Sequence, residues 1–213
     1  MIKITKVEQK KYSKGVWSLF SDEMHIADLH EDVIVEHRIT PGKLLSKADI
    51  EILLESEEKA KAMDSALRLL SYRMRSEKEL ADSLRRKGYG EGLVEDIMKE
   101  LRKRGYVDDQ GFARMYAQSL LGSKKEGSRA VKMKLSQKGI SREVTQSIVE
   151  ELTSDEKEYE AALELARKKL RGSYKNDEPD AIYRKLGGFL SRKGYPFEIV
   201  MKVLRKVTKK EID

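Results

Sequence analysis

The sequence predicts a mainly α-helical protein in which three tandem three-helix bundles follow a small β-rich N-terminal segment. A similar phrase recurs three times along the chain, and such internal repeats indicate a modular architecture. The residues before the first copy alternate between apolar and polar instead, which is typical of strands. Two kinds of structure are therefore expected in one chain.

The repeated phrase is centred on a Lys-Gly pair whose lysines are Lys87, Lys138 and Lys193, with steps of 51 and 55 residues. Because Gly just past a periodic run ends a helix, we predict left-handed C-caps at Gly88, Gly139 and Gly194. Apolar residues recur three positions before each Lys and six, ten and fourteen after it, as on one face of a helix: Leu84, Leu93, Ile97 and Leu101; Leu135, Val144, Ile148 and Leu152; Leu190, Ile199, Val203 and Val207. We predict that Ile97, Ile148 and Val203 are equivalent core positions.

A period of this length suits three helices and is too long for two. The predicted helices cover residues 57–72, 76–87 and 90–104; 109–121, 127–138 and 141–152; and 155–170, 179–193 and 196–210. The predicted segments are 1–56 (β-rich, with a short helix), 57–105, 106–153 and 154–213, the last three being repeats. "SEKE" from Ser76 predicts a capping box, and Asp108–Asp109 a helix cap.

The N-terminal segment predicts a β-hairpin. "IKITKVEQKK" and "VWSLFSD" flank the turn signal "YSKG", "EMHIADL" adds a third strand, and "SKADIEILLES" begins a helix with a Ser cap. Trp17 and Phe20 are the predicted core of this segment.

Charge separates the segments in the same way. The net charge is −2 over residues 1–56, and +3, +2 and +4 over the three repeats, within a total of +7. The positive excess therefore belongs to the repeats and predicts an anionic partner for them. Basic clusters stand at predicted helix ends, at residues 73–75, 85–87, 102–104, 124–125 and 167–169, where they can serve as a contact ridge or as ordinary solvated faces.

No pattern in the chain predicts catalysis, a cofactor or a metal. There is no Cys, the three His residues lie at 25, 30 and 37 without a ligand spacing, and "GSKKEG" lacks the ending of a phosphate-binding loop. The sequence shows neither a membrane span nor a signal-peptide pattern, so we expect a soluble cytoplasmic protein that is not an enzyme.

The first repeat closely resembles the RecX family, regulators of the recombinase RecA. The resemblance rests on Leu70, Arg73, "RSEKEL" at 75–80, Lys87–Gly88, "GYVDD" at 105–109 and Phe112–Ala113. In the second repeat, Gly127, Arg129, Leu135 and "KGI" at 138–140 match the family as well, whereas the third repeat is the weakest match.

The resemblance implies an elongated, curved array of three-helix units that lies in the groove of the RecA–single-stranded-DNA filament. Family members generally damp the ATPase, strand-exchange and coprotease activities of RecA in DNA repair and the SOS response. We therefore expect a monomer whose partner is the RecA nucleoprotein filament, with single- and double-stranded DNA as further partners. The predicted RecA/DNA contact residues are Arg73, Arg75, Lys78, Arg85, Arg86, Lys87, Arg102, Lys103, Arg129, Lys138 and Lys193.

Two alternatives stay open. Three short helices can form a helix-turn-helix that regulates by binding DNA directly, although no helix carries a clear base-reading set of Arg, Asn and Gln. A helical scaffold for an acidic protein would also account for the charge.

Overall fold

The structure, a computed structural model, describes residues 1–13 and 15–208, which form five strands and ten helices. The strands are β1 (Ile2–Lys3), β2 (Lys6–Gln9), β3 (Val16–Ser21), β4 (Met24–His30) and β5 (Leu44–Leu45). The helices are α1 (Glu31–Glu36), α2 (Lys47–Tyr72), α3 (Glu77–Arg86), α4 (Glu91–Lys103), α5 (Asp109–Leu121), α6 (Ser128–Gln137), α7 (Arg142–Leu152), α8 (Asp155–Arg171), α9 (Pro179–Arg192) and α10 (Phe197–Thr208).

The N-terminal strands form the predicted hairpin and its third strand. β2, β3 and β4 make an antiparallel sheet in that order, while β1 pairs with β5. The hairpin turn "YSKG" includes Lys14, which lies outside the described residues, and Tyr12 before it has a φ of 66°.

The core of this segment is aliphatic, and the prediction of Trp17 and Phe20 as its core is wrong. Both rings are half-buried. Phe20 follows the buried Leu19 in a strand, so its side chain turns to the other face, where its ring meets that of His25 at 5.5 Å. The buried cluster consists of Ile4, Leu19, Leu29, Val33, Ile39, Leu45 and Leu53.

Helix α2 is continuous from Lys47 to Tyr72, so the predicted start of a separate helix at Glu57 is wrong. The segment around this position contains neither Gly nor Pro, and nothing in it stops a helix. Leu53 lies in the N-terminal cluster. Glu57, only 4% exposed, accepts the His30 backbone N–H at 2.5 Å and pairs with Lys61 at 3.1 Å. One helix thus serves both the β-rich segment and, through its contacts with α4, the first bundle.

The chain divides into two compact units. The first comprises Met1–Met74 and Leu80–Tyr106, and the second comprises Arg75–Glu79 together with the described chain from Val107 onward. Helix α3 therefore contributes its first turn to the second unit and its remainder to the first. In the second unit, α5, α6 and α7 enclose one buried cluster and α8, α9 and α10 enclose another.

The repeat alignment is confirmed at its core and at its caps. Ile97, Ile148 and Val203 are 0%, 4% and 0% exposed. The glycines at 88, 139 and 194 have φ values of 93°, 83° and 85°. The last predicted helix ends at Lys210, which lies outside the described residues; α10 is described as far as Thr208. Along the described chain, no helix has the length and apolarity needed to cross a bilayer.

Candidate functional site

The second unit contains the same contact twice, between the first turn of one helix and a Lys-Gly turn about sixty residues further along the chain. At the start of α3, Ser76 Oγ donates to Lys138 O at 2.7 Å. At the start of α6, the Gly127 N–H donates to Lys193 O at 2.9 Å and the Arg129 N–H to Gly194 O at 3.0 Å. Ser76 and Gly127 both lie eleven positions before the Lys of their own repeat, so the two contacts are equivalent.

A carboxylate from the following repeat completes each contact. Asp109 Oδ1 accepts the Glu77 N–H at 2.8 Å, and Glu158 Oε1 accepts the Ser128 N–H at 2.7 Å. Glu77 and Ser128 are the first residues of α3 and α6, whose free N–H groups and positive dipole end favour an anion. We call each set of contacts, the helix start, the Lys-Gly turn and the acid, a repeat joint.

The joints explain why two of the three repeated glycines need more than a left-handed φ. A Cβ on Gly194 would lie 2.3 Å from the Ala130 Cβ, and one on Gly139 would lie 2.7 Å from the Lys78 Cβ. A Cβ on Gly88 would meet nothing within 4 Å. Two glycines therefore allow close packing as well as helix termination, whereas Gly88 only ends its helix.

The joints also use the charges of three predicted contact residues. Lys138 Nζ pairs with Glu79 Oε1 at 2.5 Å and lies 5.9 Å from the centroid of the Tyr116 ring. Lys193 Nζ donates to Lys124 O at 2.9 Å, and Lys78 Nζ donates to Gln137 O at 3.3 Å. These three ammonium groups hold the chain's own backbone or acids, which argues for a structural role.

At the end of α3, the three neighbouring basic residues of the "RRK" cluster have different surroundings. Arg85 donates to Glu91 at 2.7 and 2.5 Å and to Asp82 at 2.9 Å, and hydrogen bonding to Glu91 raises the pKa of the guanidinium above its usual range. Arg86 donates only to the Ser83 hydroxyl, at 3.0 Å, among the bonds described for it. Lys87 is exposed, and the described residues give it no ion pair. The charges of Arg86 and Lys87 are therefore not neutralised by an ion pair among the described residues.

The remaining predicted residues are distributed over both units. Arg73 is the exposed C-cap of α2 and donates to Met74 O at 2.8 Å, while Arg102 and Lys103 are exposed in the last turn of α4. Arg75 is half-buried and Arg129 exposed. The first unit holds Arg73, Arg85, Arg86, Lys87, Arg102 and Lys103, and the second holds Arg75, Lys78, Arg129, Lys138 and Lys193.

The acids that cap the helices of the joints, Asp109 and Glu158, were not predicted from the sequence. Asp108 caps its own helix as predicted, accepting the Gly111 N–H at 3.0 Å, but Asp109 caps α3 instead. Glu158 is 7% exposed and looks like any other acid of a helical first turn. Over the described residues no group of three or more His, Asp or Glu side chains is placed to hold a metal ion.

Comparison with known proteins identifies the architecture. Three family models match the chain in order: the first three-helix domain of RecX over residues 62–101, the second over 108–147 and the third over 155–204. A regulatory protein RecX from Clostridium botulinum (strain Eklund 17B / Type B) is 31% identical over 215 residues, covering 100% of this chain and 99% of the relative. The chain belongs to the RecX family.

Other RecX proteins agree with this assignment. The regulatory protein RecX of Clostridium tetani is 31% identical and covers 96% of this chain and 94% of its own length. A crystal structure of a regulatory protein RecX superimposes with a TM-score of 0.79 at 28% identity, covering 95% of this chain and 98% of that one. RecX from Lactobacillus salivarius gives a TM-score of 0.63 at 25% identity, covering 71% and 97%. The third repeat, the weakest match by sequence motif, is thus a RecX domain like the other two.

Proposed function

We propose that this chain regulates a RecA recombinase by binding the RecA–single-stranded-DNA filament and lowering its ATPase, strand-exchange and coprotease activities. The observation that carries the proposal is the match to RecX regulatory proteins over the whole length of the chain. The role acts through binding, without turnover, cofactor or metal.

The arrangement of polar groups supports a binding role. The three histidines contact neighbouring polar groups: His25 contacts Asp28 at 2.8 Å, His30 caps α1 and His37 contacts Ser56 at 2.9 Å. His37 contacts a serine hydroxyl, but a Cys–His pair cannot form because the chain has no Cys, and the described repeats have no His.

Exposed cations supply the proposed contact surface. We place Arg86, Lys87 and Lys103 of the first unit and Arg129 of the second on the filament-binding surface, since each is exposed. Lys78, Lys138 and Lys193 have a structural role instead, because they stabilise the fold that carries the exposed cations. Binding through several weak contacts on one chain raises the effective concentration of each further contact, so modest individual affinities can yield a stable complex.

The test is inhibition of single-stranded-DNA-dependent ATP hydrolysis by RecA. We expect the double charge reversal Arg86→Glu/Lys87→Glu to raise the concentration of this protein needed for half-inhibition by about tenfold or more. The change removes two cations and adds two carboxylates, which repel an anionic partner. Lys3→Glu/Lys11→Glu is the matched control, because it makes the same charge change on exposed residues of the β-rich segment.

Undiminished inhibition by the Arg86/Lys87 variant, with helicity intact, would remove this surface from the mechanism. Equal losses in both variants would point to net charge alone. If phosphates supply the contact, inhibition should weaken steeply as salt rises, whereas contacts to acidic RecA side chains should show a shallower dependence.

A further inference from the structure

The third repeat exposes two aromatic side chains on its last two helices, α9 and α10. Phe197 is 60% exposed and Tyr183 is 41% exposed. The Tyr183 hydroxyl donates to Met201 Sδ at 3.5 Å across the α9–α10 pair. Phe197, Met201 and Arg205 follow one another at four-residue steps along α10, so they share one side of the helix. We call Tyr183, Phe197, Met201 and Arg205 the aromatic strip.

The other two bundles close their cores while having polar residues at the positions equivalent to these. Phe197, Met201 and Arg205 lie four, eight and twelve positions after the repeated Lys. The equivalent residues are Glu91, Glu95 and Lys99 in the first repeat and Arg142, Gln146 and Glu150 in the second. All six are exposed and polar in bundles whose cores are closed.

Tyr183 also departs from its equivalents. It lies ten positions before the Lys, where the other repeats have Glu77 and Ser128. Those two residues begin helices and donate to the acids of a repeat joint, whereas Tyr183 lies in the second turn of α9 with its ring at the surface. A large ring here adds contact surface for something outside the bundle.

The surroundings of the strip are cationic. Helices α9 and α10 carry six basic and two acidic residues. Within the described chain Lys185 pairs with Asp177 at 2.8 Å, but Arg184 and Arg205 are exposed and have no carboxylate within ion-pair distance. Their charge is available to an anionic ligand, unlike that of Arg85.

Exposed rings beside unpaired arginines match the chemistry of single-stranded nucleic acid. Bases stack on aromatic side chains, and the backbone phosphates pair with neighbouring cations. A duplex hides its base faces within its own stack and would leave the rings unused. An acidic protein surface would satisfy Arg184 and Arg205 but would give the exposed Phe197 no partner of its own.

We propose that the aromatic strip binds single-stranded nucleic acid, with bases stacked on Tyr183 and Phe197 and phosphates held by Arg184 and Arg205. This site belongs to the third repeat and does not depend on the RecA contact proposed above. It requires only a strand with unpaired bases.

The first experiment measures binding of fluorescently labelled oligothymidylate, and of an abasic oligonucleotide of the same length, by anisotropy. The abasic strand keeps the phosphates and removes the bases. We expect the wild-type protein to prefer the base-bearing strand, and Tyr183→Ala/Phe197→Ala to lose about tenfold or more in affinity for that strand alone. Arg205→Glu should weaken binding to both strands. Arg142→Ala, at the position of the second repeat equivalent to Phe197, is the matched control and should change neither.

The second experiment reports stacking directly. The chain has a single tryptophan, Trp17, whose buried Nε1 lacks a hydrogen-bond partner within the described structure, so Trp17→Phe removes no such bond. In that background, Phe197→Trp places the only indole in the strip. We expect its fluorescence to be quenched by oligothymidylate and not by the abasic strand.

Equal wild-type affinity for the two strands, or an indole at position 197 that does not respond to oligothymidylate, would overturn the proposal. Unchanged oligonucleotide binding by Tyr183→Ala/Phe197→Ala together with weaker inhibition of RecA would also overturn it and would assign the strip to a protein contact. Conversely, loss of base-dependent binding with RecA inhibition intact would support this site and leave the proposed function standing.

Discussion

The Lys-Gly turn of the first repeat and those of the second and third repeats share one local conformation but differ in what surrounds them. Gly88, Gly139 and Gly194 all have a positive φ near 90° and end helices of the same kind. The turns at Lys138 and Lys193 are closed by the starts of α3 and α6, whereas Lys87 is exposed and Gly88 has open space beside it. The same Lys-Gly motif therefore packs against a helix start in the second and third repeats and forms an exposed cationic surface in the first.

This difference assigns different roles to equivalent lysines. Lys138 and Lys193 direct their ammonium groups to Glu79 and to the Lys124 carbonyl, which are partners within the chain. Lys87 is exposed and has no ion pair among the described residues. Motif identity alone would have treated the three lysines alike.

The largest expected effect is a difference in stability loss between alanine substitutions at Gly194 and at Gly88. Gly194→Ala should cost about 2–5 kcal/mol of unfolding free energy, because the left-handed conformation costs about 1–2 kcal/mol for a residue with a Cβ and the clash with Ala130 adds about 1–3 kcal/mol. Gly88→Ala should lose only the first of these contributions. Urea unfolding followed by far-ultraviolet circular dichroism measures both, and equal losses would contradict the distinction between closed and open turns.

The core positions should behave alike where the glycines differ. Ile97→Ala and Ile148→Ala should each cost about 2–4 kcal/mol, since both side chains are buried and their truncation leaves a cavity. Hydrogen exchange of the amides in α4 and α7 can assign each loss to its own bundle. A variant that unfolds at the wild-type urea concentration would break the equivalence of the repeats.

The third and smallest effect is an alkaline loss of stability at the closed turn of the third repeat. Burial raises the pKa of Tyr195 to about 12, helped by the nearby carboxylates of Glu158 and Glu164. The unfolded chain ionises this phenol from about pH 10, so above that pH it binds fewer protons than the folded chain. The stabilisation is present below pH 10 and is lost between pH 10 and 12, up to about 2–3 kcal/mol.

Tyr195→Phe should remove this component from the pH dependence of urea unfolding. Tyr89→Phe is the control for the loss of a phenol as such, because Tyr89 occupies the equivalent position beside the open turn of the first repeat. Identical alkaline slopes for wild type and Tyr195→Phe would show that the phenol does not couple to folding.

Local patterns in the sequence predicted the fold well wherever one helix carries its own signal. The repeat at Lys87, Lys138 and Lys193 predicted the helix ends, and the four-residue spacing predicted the positions ten residues past each Lys, which are buried in all three bundles. Helix α5 begins and ends where it was predicted, at Asp109 and Leu121. The candidate site was predicted less completely, because exposure of a lysine depends on which element lies against it.

The sequence by itself determined the three-helix repeats, the left-handed glycines, the basic excess of the repeats and membership of the RecX family. Only the tertiary structure decided that α2 continues past Glu57, that Trp17 stays at the edge of its core, and that Asp109 caps α3 as well as beginning α5. The physical reason is the separation along the chain of the residues that interact. Helix periodicity and caps are set by residues a few positions apart, whereas Ser76 and Lys138 meet across 62 positions because two helices bring them together. A repeated motif in the sequence therefore predicts the local helix signals but not the long-range contacts.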